Sequence, residues 1–102
     1  MAEAPAIVVG CAHPELSGSE FDQQYYMLDL GIAMEHMVLA AAEQGLGTCW
    51  IGGQFEEETV KNVLGVPEDV RVVALTPLGY PNETPSPKER KPMKEVVSFE
   101  KW

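Results

Sequence analysis

The sequence has few basic residues and no long uninterrupted apolar run, and both shortages exclude classes of partner. Lys and Arg number 7 against 16 Asp and Glu, which gives a formal net charge of −9 at pH 7. Such an acidic chain repels nucleic-acid backbones and anionic membranes, so we expect neither as a partner. The best candidate for an apolar run is interrupted by Asp29, Glu35 and His36, so no membrane span is predicted.

Cysteine is also scarce, and its spacing excludes the commonest metal and redox motifs. Cys11 and Cys49 are the two cysteines, and they do not form a CxxC pair. Cys11 and His13 together are too sparse to suggest a metal site, and we predict none. The N-terminus carries no basic residues before its apolar stretch, so no signal peptide is predicted. We expect a cytoplasmic protein with reduced thiols, although the sequence leaves a single disulfide open.

The pattern of apolar residues and breakers predicts one domain of mixed helix and strand over residues 1–102. The predicted fold class is α+β, in the form of an α/β sandwich. The expected elements are strands at 6–11 and 70–78, a short strand or extended turn at 48–51, helices at 25–44 and 55–64, a loop at 15–24, an extended surface arm at 82–95 and a last short strand at 96–99.

The helix expected at 25–44 is apolar around most of its circumference. At 100° per residue, Asp29, His36 and Glu43 form one narrow polar stripe, and Glu35 stands alone within the apolar sector. A small domain has few spare elements with which to cover such a helix, so we expect a second subunit to cover it. The alternative is that the loops and the arm of the same chain cover it. For Glu35 we favour an interface carboxylate over a catalytic one.

Several motifs occur in an order that resembles the nitroreductase family of FMN-dependent NAD(P)H oxidoreductases. The run DLGIAMEHMVLAAAEQGLGTCWIGG begins at Asp29, the run VKNVLGVPEDVRVVALTPLGYP begins at Val60, and a KERKP segment begins at Lys88. The resemblance covers nearly the whole chain and implies a partial nitroreductase-like fold with a long central helix at the dimer interface. Members of this family are usually about twice as long, so the chain corresponds to their C-terminal half.

The resemblance also implies a cofactor, partners and site residues. In this family FMN lies at the interface of a homodimer, takes hydride from NAD(P)H and reduces a nitro compound, a quinone or a similar acceptor. By resemblance, Trp50, Ile51, Gly52 and Gly53 approach the flavin ring, and the backbone rather than any catalytic side chain supplies the chemistry. The missing side chain of glycine allows the backbone to lie close to a flat ring.

The basic residues of the arm are the second candidate for contact with the cofactor. Lys88, Arg90, Lys91 and Lys94 lie within seven positions and are four of the seven basic residues of the chain. By resemblance, Arg90 binds the FMN phosphate, assisted by Lys88 or Lys91. The alternative function is a non-catalytic dimerisation module that lost flavin binding with its N-terminal half.

Overall fold

The computed structural model describes residues 3–102 and contains a three-stranded antiparallel sheet against which a long helix packs. The strand order is β1-β5-β4. Strands β2 and β3, of two residues each, form a separate antiparallel hairpin. This arrangement confirms the predicted mixture of helix and sheet. In chain order the elements are β1 (Ala6–Ala12), α1 (Pro14–Ser17), β2 (Ser19–Glu20), β3 (Gln23–Gln24), α2 (Tyr25–Glu43), β4 (Gly47–Thr48), α3 (Glu57–Leu64), β5 (Arg71–Gly79) and α4 (Met93–Val96).

The strand β5 is central and includes Pro77, so it agrees within one residue at each end with the strand predicted at 70–78. Leu75 exchanges two backbone hydrogen bonds with Ile51, both of 2.9 Å, so its N–H points toward β4. Pro77, two residues further on, faces the same edge. The pairing with β4 is interrupted between Thr48 and Ile51, so this edge requires no N–H from the proline.

The helix α2 lies close to β1 because residue 10 is glycine. A Cβ placed on Gly10 would lie 2.4 Å from Met34 Sδ and 3.0 Å from Leu30 Cδ2. Met34 is completely buried, and Tyr26 and Ala41 are the other buried residues of α2. The helix ends one residue before the predicted limit, and Gly45, at φ 73°, turns the chain in the left-handed region that favours glycine.

Three segments differ from the sequence-based expectation. The predicted loop at 15–24 contains part of α1 and the hairpin of β2 and β3. The second helix begins at Glu57 rather than at Phe55, because Glu56 has extended backbone angles and occupies the N-cap position. The strand expected at 96–99 was wrong. Pro92 instead precedes the single helical turn α4, which is closed by the N–H of Val97 donating to the carbonyl of Met93.

Among residues 3–102, no helix combines the length and hydropathy needed to cross a bilayer. This holds for α2 as well, although it has 19 residues.

Candidate functional site

The segment of residues 50–53, here called the glycine loop, is fixed to the edge of β5. Ile51 and Leu75 form the pair of hydrogen bonds described above. One residue before the loop, the N–H of Cys49 donates to Thr76 Oγ1 at 3.0 Å. These bonds fix the start of the loop on a buried strand, while Gly52 and Gly53 remain exposed.

The two glycines of the loop face different surroundings, and neither has a positive φ. A Cβ on Gly52 would lie 3.1 Å from Nε1 of Trp50, so the indole ring lies against the backbone of this residue. A Cβ on Gly53 would meet no atom within 4 Å. Neither backbone conformation nor packing within the described chain requires glycine at position 53, and the space beside it is open to another molecule.

A shallow cleft of about 200 Å³ separates the glycine loop from the N-terminal half of α2. Trp50 forms one side of it and is 45% exposed. The volume is below the roughly 300 Å³ at which small-molecule pockets begin, so the cleft holds only part of a ligand. Its lining is mostly apolar and comprises Met27, Leu30, Gly31, Met34, Trp50, Gly52, Val73 and Ala74.

Three of the arm's four basic residues lie in an extended, exposed segment, and the fourth, Lys94, lies in α4. Lys88, Arg90 and Lys91 belong to no helix or strand, and residues 80–102 are exposed throughout. The ion pairs within residues 3–102 involve His13, Lys61 and Arg71 instead. Among the described residues, no ion pair or hydrogen bond therefore links these three side chains to the glycine loop.

The beginning of the arm does approach the region of the glycine loop. A cavity of about 660 Å³ lies between residues 82–85 and the segment around Thr48 and Cys49. Gly47 permits this approach, because a Cβ there would lie 3.1 Å from Cβ of Pro81. The arm thus leaves the domain beside the chain that enters the glycine loop, and its basic residues follow a few positions later.

The face of α2 that points away from the sheet is apolar and uncovered. The exposed fractions of its large side chains lie between 46% and 60%, for Met27, Leu28, Ile32, Met37 and Leu39. A groove of about 430 Å³ runs along this face, and only residues of α2 line it. In the described chain the arm does not cover this face, so the alternative of coverage by the arm is wrong for the single chain.

A cluster around Glu57 joins α3 to β5, and no sequence pattern predicted it. The carboxylate of Glu57 accepts bonds from Arg71 Nε at 2.9 Å, Arg71 Nη2 at 3.0 Å and the N–H of Val72 at 2.8 Å. The Arg71 guanidinium is the main reason that the pKa of Glu57 lies below its usual range, and the Val72 N–H adds to the effect. Lys61 is buried on the same helix, and its Nζ donates to the carbonyl of Glu68 at 3.1 Å.

This cluster is structural, and a sequence signal for it would have been hard to find. Arg71 follows Glu57 by 14 residues, and its bond to Glu57 closes a loop between two elements rather than one helical turn. Periodicity reports contacts three or four residues apart, so it does not reveal a pairing of this kind.

The cysteines and the acidic residues form no metal or nucleophile site in the described chain. No three residues of the His, Cys, Asp and Glu types within 3–102 lie close enough to hold a metal ion. The pKa of the Cys11 thiol lies above its usual value, because partial burial and the nearby Glu57 charge both disfavour the thiolate. Cys11 is therefore a poor nucleophile, and both cysteines are unpaired.

Comparison with known proteins identifies relatives of the same fold. A protein of Archaeoglobus fulgidus, named provisionally as an NADH dehydrogenase/NAD(P)H nitroreductase, is 37% identical over 83 residues, covering 78% of this chain and 47% of that protein. The NADPH-flavin oxidoreductase of Vibrio harveyi is 38% identical over 71 residues, covering 69% of this chain and 30% of the relative. The crystal structure of a nitroreductase family protein from Clostridium difficile 630 superposes with a TM-score of 0.87 at 26% identity, covering 98% of this chain and 62% of that one.

The chain spans about half or less of the length of these two curated relatives. The sequence model of the Nitroreductase family matches residues 1–80, which contain every element from β1 to β5. The chain therefore belongs to the nitroreductase family.

Proposed function

We propose that this chain forms part of an FMN-dependent NAD(P)H oxidoreductase that reduces a nitro compound, a quinone or a similar acceptor. Family membership supports a flavin-dependent redox function, as do relatives named as an NAD(P)H nitroreductase and an NADPH-flavin oxidoreductase. The observation that carries the proposal is the glycine loop, which is anchored on β5 beside an uncovered helix face and has open space at Gly53.

The glycine loop has the properties needed at one edge of a planar ring. Gly52 and Gly53 present main chain without side chains at an exposed position, and Trp50 adds an exposed aromatic surface. FMN, when bound, supplies the chemistry of accepting and passing on a hydride. The role of this chain is to direct backbone N–H groups of the loop at the ring edge where negative charge develops, which stabilises that charge.

The arm is the part of this chain that would hold the phosphate. Arg90 can bind two phosphate oxygens with its planar guanidinium, and Lys88 or Lys91 adds a second positive charge. The exposure of all three leaves them free to reach an anion outside their own protomer. They also give a strongly acidic chain a local surface that attracts an anion.

A homodimer formed through α2 is part of the same proposal. The outer face of the helix exposes five large apolar side chains in one chain, a patch that soluble monomers rarely leave bare. A small-molecule site beside this face, in the cleft between α2 and the glycine loop, would gain a second wall from the partner. This would also explain why the cleft of one chain is too small for a whole ligand.

Titration of FMN against the purified chain tests the assignment of the glycine loop. Gly53→Val fills the open space beside the loop, so we expect FMN to bind at least about tenfold more weakly, equivalent to about 1.4 kcal/mol. Gln54→Val is the control, because it places the same valine at the next exposed position, where a side chain is already present. Quenching of flavin fluorescence measures the affinity. Equal affinities of Gly53→Val and the unaltered chain would exclude the loop as the ring site.

The arm has its own test. Replacing Lys88, Arg90 and Lys91 together by Ala should weaken FMN binding, and should weaken riboflavin binding much less because riboflavin lacks the phosphate. Lys101→Ala, which removes one exposed charge outside this segment, is the control. Parallel titrations with the two flavins supply the measurement. Equal losses for both flavins would mean that the arm does not hold the phosphate.

A dimerisation module without flavin is the second candidate. Two observations favour it. The outer face of α2 is uncovered, and no ion pair or hydrogen bond in the described chain joins the basic residues of the arm to the glycine loop. This candidate predicts a dimer that neither quenches FMN fluorescence nor gains thermal stability from FMN. The first candidate predicts both effects.

A further inference from the structure

The glycine loop and the segment that follows it are held at both ends on one strand, β5. The start is fixed by the two hydrogen bonds between Ile51 and Leu75, of 2.9 Å each. Residues 52–56 then lead to Glu57, the first residue of α3, whose carboxylate accepts the N–H of Val72 at 2.8 Å. Leu75 and Val72 are three positions apart on β5, which is about 10 Å. The segment therefore spans a short distance between two fixed points.

The backbone between these two points depends on them for its position. Within residues 3–102, no hydrogen bond between backbone groups involves residues 52–55. Phe55 is half-buried, and the other residues of 52–56 are exposed. Gly52 and Gly53 add conformational freedom to the segment. A loss of the bond at Glu57 would therefore release the end of the segment nearer α3.

Arg71 connects this end of the segment with the helix on the other side of the cleft. Its Nε and Nη2 donate to the carboxylate of Glu57 at 2.9 and 3.0 Å. Its Nη1 donates to the hydroxyl of Tyr26 at 3.4 Å, the longest of its bonds. Tyr26 is buried in the first turn of α2 and precedes Met27, which lines the cleft. These three side chains (Glu57, Arg71 and Tyr26), here called the clamp, join the end of the loop segment to α2.

The strand that carries Arg71 also lines the cleft. In its pairing with β1, the register of β5 shifts between Val72 and Ala74, so Val73 has no partner. A bulge of this kind changes the direction of a side chain, and Val73 lines the cleft together with Ala74. Glu57 accepts the N–H of the residue directly before the bulge. The clamp and the lining of the cleft thus share four consecutive residues of β5, 71–74.

We infer that Glu57 is a positioning residue for the cleft, because it fixes the end of the glycine loop segment on β5 and, through Arg71, on α2. No residue of the clamp lines the cleft, so the clamp acts through the loop. It holds Gly52 and Gly53 where they meet the edge of a planar ring. The identification of this ring as FMN rests on the proposed function, whereas the hold on the loop does not.

Nitrogen-15 relaxation of the unliganded chain tests the hold on the loop without a flavin. Order parameters of about 0.85 mark a rigid backbone, and values below about 0.6 mark a flexible one. We expect the amides of Gly52 and Gly53 to be rigid in the unaltered chain and flexible in Glu57→Ala. Glu57→Gln keeps an acceptor for Val72 and should keep the loop rigid. Glu58→Ala, at the next and exposed position, is the control and should also keep it rigid.

The amides of β5 separate positioning from general stability. Glu57→Ala also destabilises the fold, but the folded molecules should keep order parameters of about 0.85 at residues 73–76. An equal loss of order in the loop and in β5 would mean that Glu57 only stabilises the fold, and would overturn the inference. Gly52 and Gly53 amides that are as rigid in Glu57→Ala as in the unaltered chain would overturn it as well.

Glu57→Asp replaces the alanine variant if that variant does not fold. It keeps a carboxylate at the start of α3, where the helix dipole favours it. Its side chain is one methylene shorter, so it cannot keep its bonds to both Val72 and Arg71 unless the loop moves. We expect lower order parameters or shifted amide resonances at Gly52 and Gly53. Unchanged values for both would overturn the inference.

Titration with FMN measures the consequence for the ligand. If the released loop occupies its binding position about one tenth of the time, the Kd for FMN rises about tenfold. We expect this rise in Glu57→Ala and not in Glu57→Gln or Glu58→Ala. A loosened loop with an unchanged Kd would overturn the role of Glu57 toward the ring. An unaltered chain that binds no FMN would contradict the proposed function, while a loop loosened in Glu57→Ala would still support the clamp.

Discussion

At the scale of single residues, the shortest ion pair of the described chain joins Glu57 to Arg71. The Glu57 side chain is 24% exposed and also accepts the backbone N–H of Val72, whereas Arg71 is half exposed. Solvent screening therefore reduces what the ion pair contributes. Glu57→Gln should lower the free energy of unfolding by about 1 kcal/mol, since the amide keeps an acceptor for Val72 but loses the charge. Urea unfolding near neutral pH measures this.

The same residue carries a prediction about pH. The folded-state pKa of Glu57 is lowered, so its contribution to stability is complete above the unfolded value of about 4.3 and disappears as pH falls through the folded value. The stability difference between the unaltered chain and Glu57→Gln should therefore shrink toward zero in acid. Glu58→Gln, at an exposed position of the same first turn, should show little difference at any pH. A constant difference for Glu57→Gln would contradict the charge-based explanation.

At the scale of elements, the contact of α2 with β1 depends on Gly10. Gly10→Ala puts a methyl group 2.4 Å from the sulfur of the completely buried Met34, and this side chain has little room to move. We expect a loss of about 1–3 kcal/mol in the free energy of unfolding, the usual cost of overpacking a core. A thermal or denaturant unfolding curve measures it, and an unchanged midpoint would show that α2 does not lie on β1 this closely.

Gly31→Ala should have opposite effects on the protomer and on the dimer. The added methyl meets no atom of the chain, so the helix should gain about 0.5–1 kcal/mol. The same methyl would project into the groove on the outer face of α2, where the proposed second copy packs. Unfolding at low protein concentration reports the gain, and sedimentation at high concentration reports the weaker dimer. An alanine variant that dimerises as well as the unaltered chain would remove Gly31 from the interface.

Sequence patterns predicted the elements that are controlled by local chemistry. The end of α2 followed from Gly45, and β5 followed from its apolar run. The expected strand at 96–99 was wrong, because an apolar segment forms a strand only where a neighbouring strand can pair with it. The bond from Cys49 to Thr76 and the bonds from Arg71 to Glu57 were also unpredictable, since both connect residues far apart in the sequence.

At the scale of the whole molecule, the chain is more extended than a closed domain of its length. Its radius of gyration is 16.7 Å, against about 13 Å for a compact domain of 100 residues. Its exposed surfaces include the arm and the outer face of α2, which are the regions proposed for the cofactor phosphate and for a second copy. The proposed site is therefore completed at surfaces that one chain leaves open.

Sedimentation velocity of the full chain with added FMN, recorded at both a protein and a flavin absorption band, tests this claim most directly. We predict that bound flavin sediments with a species of twice the chain mass, and that Leu39→Glu, a charge on the outer face of α2, lowers the sedimenting mass and the bound flavin together. The contradictory result is a chain that sediments as a monomer while all the flavin stays at the rate of free FMN.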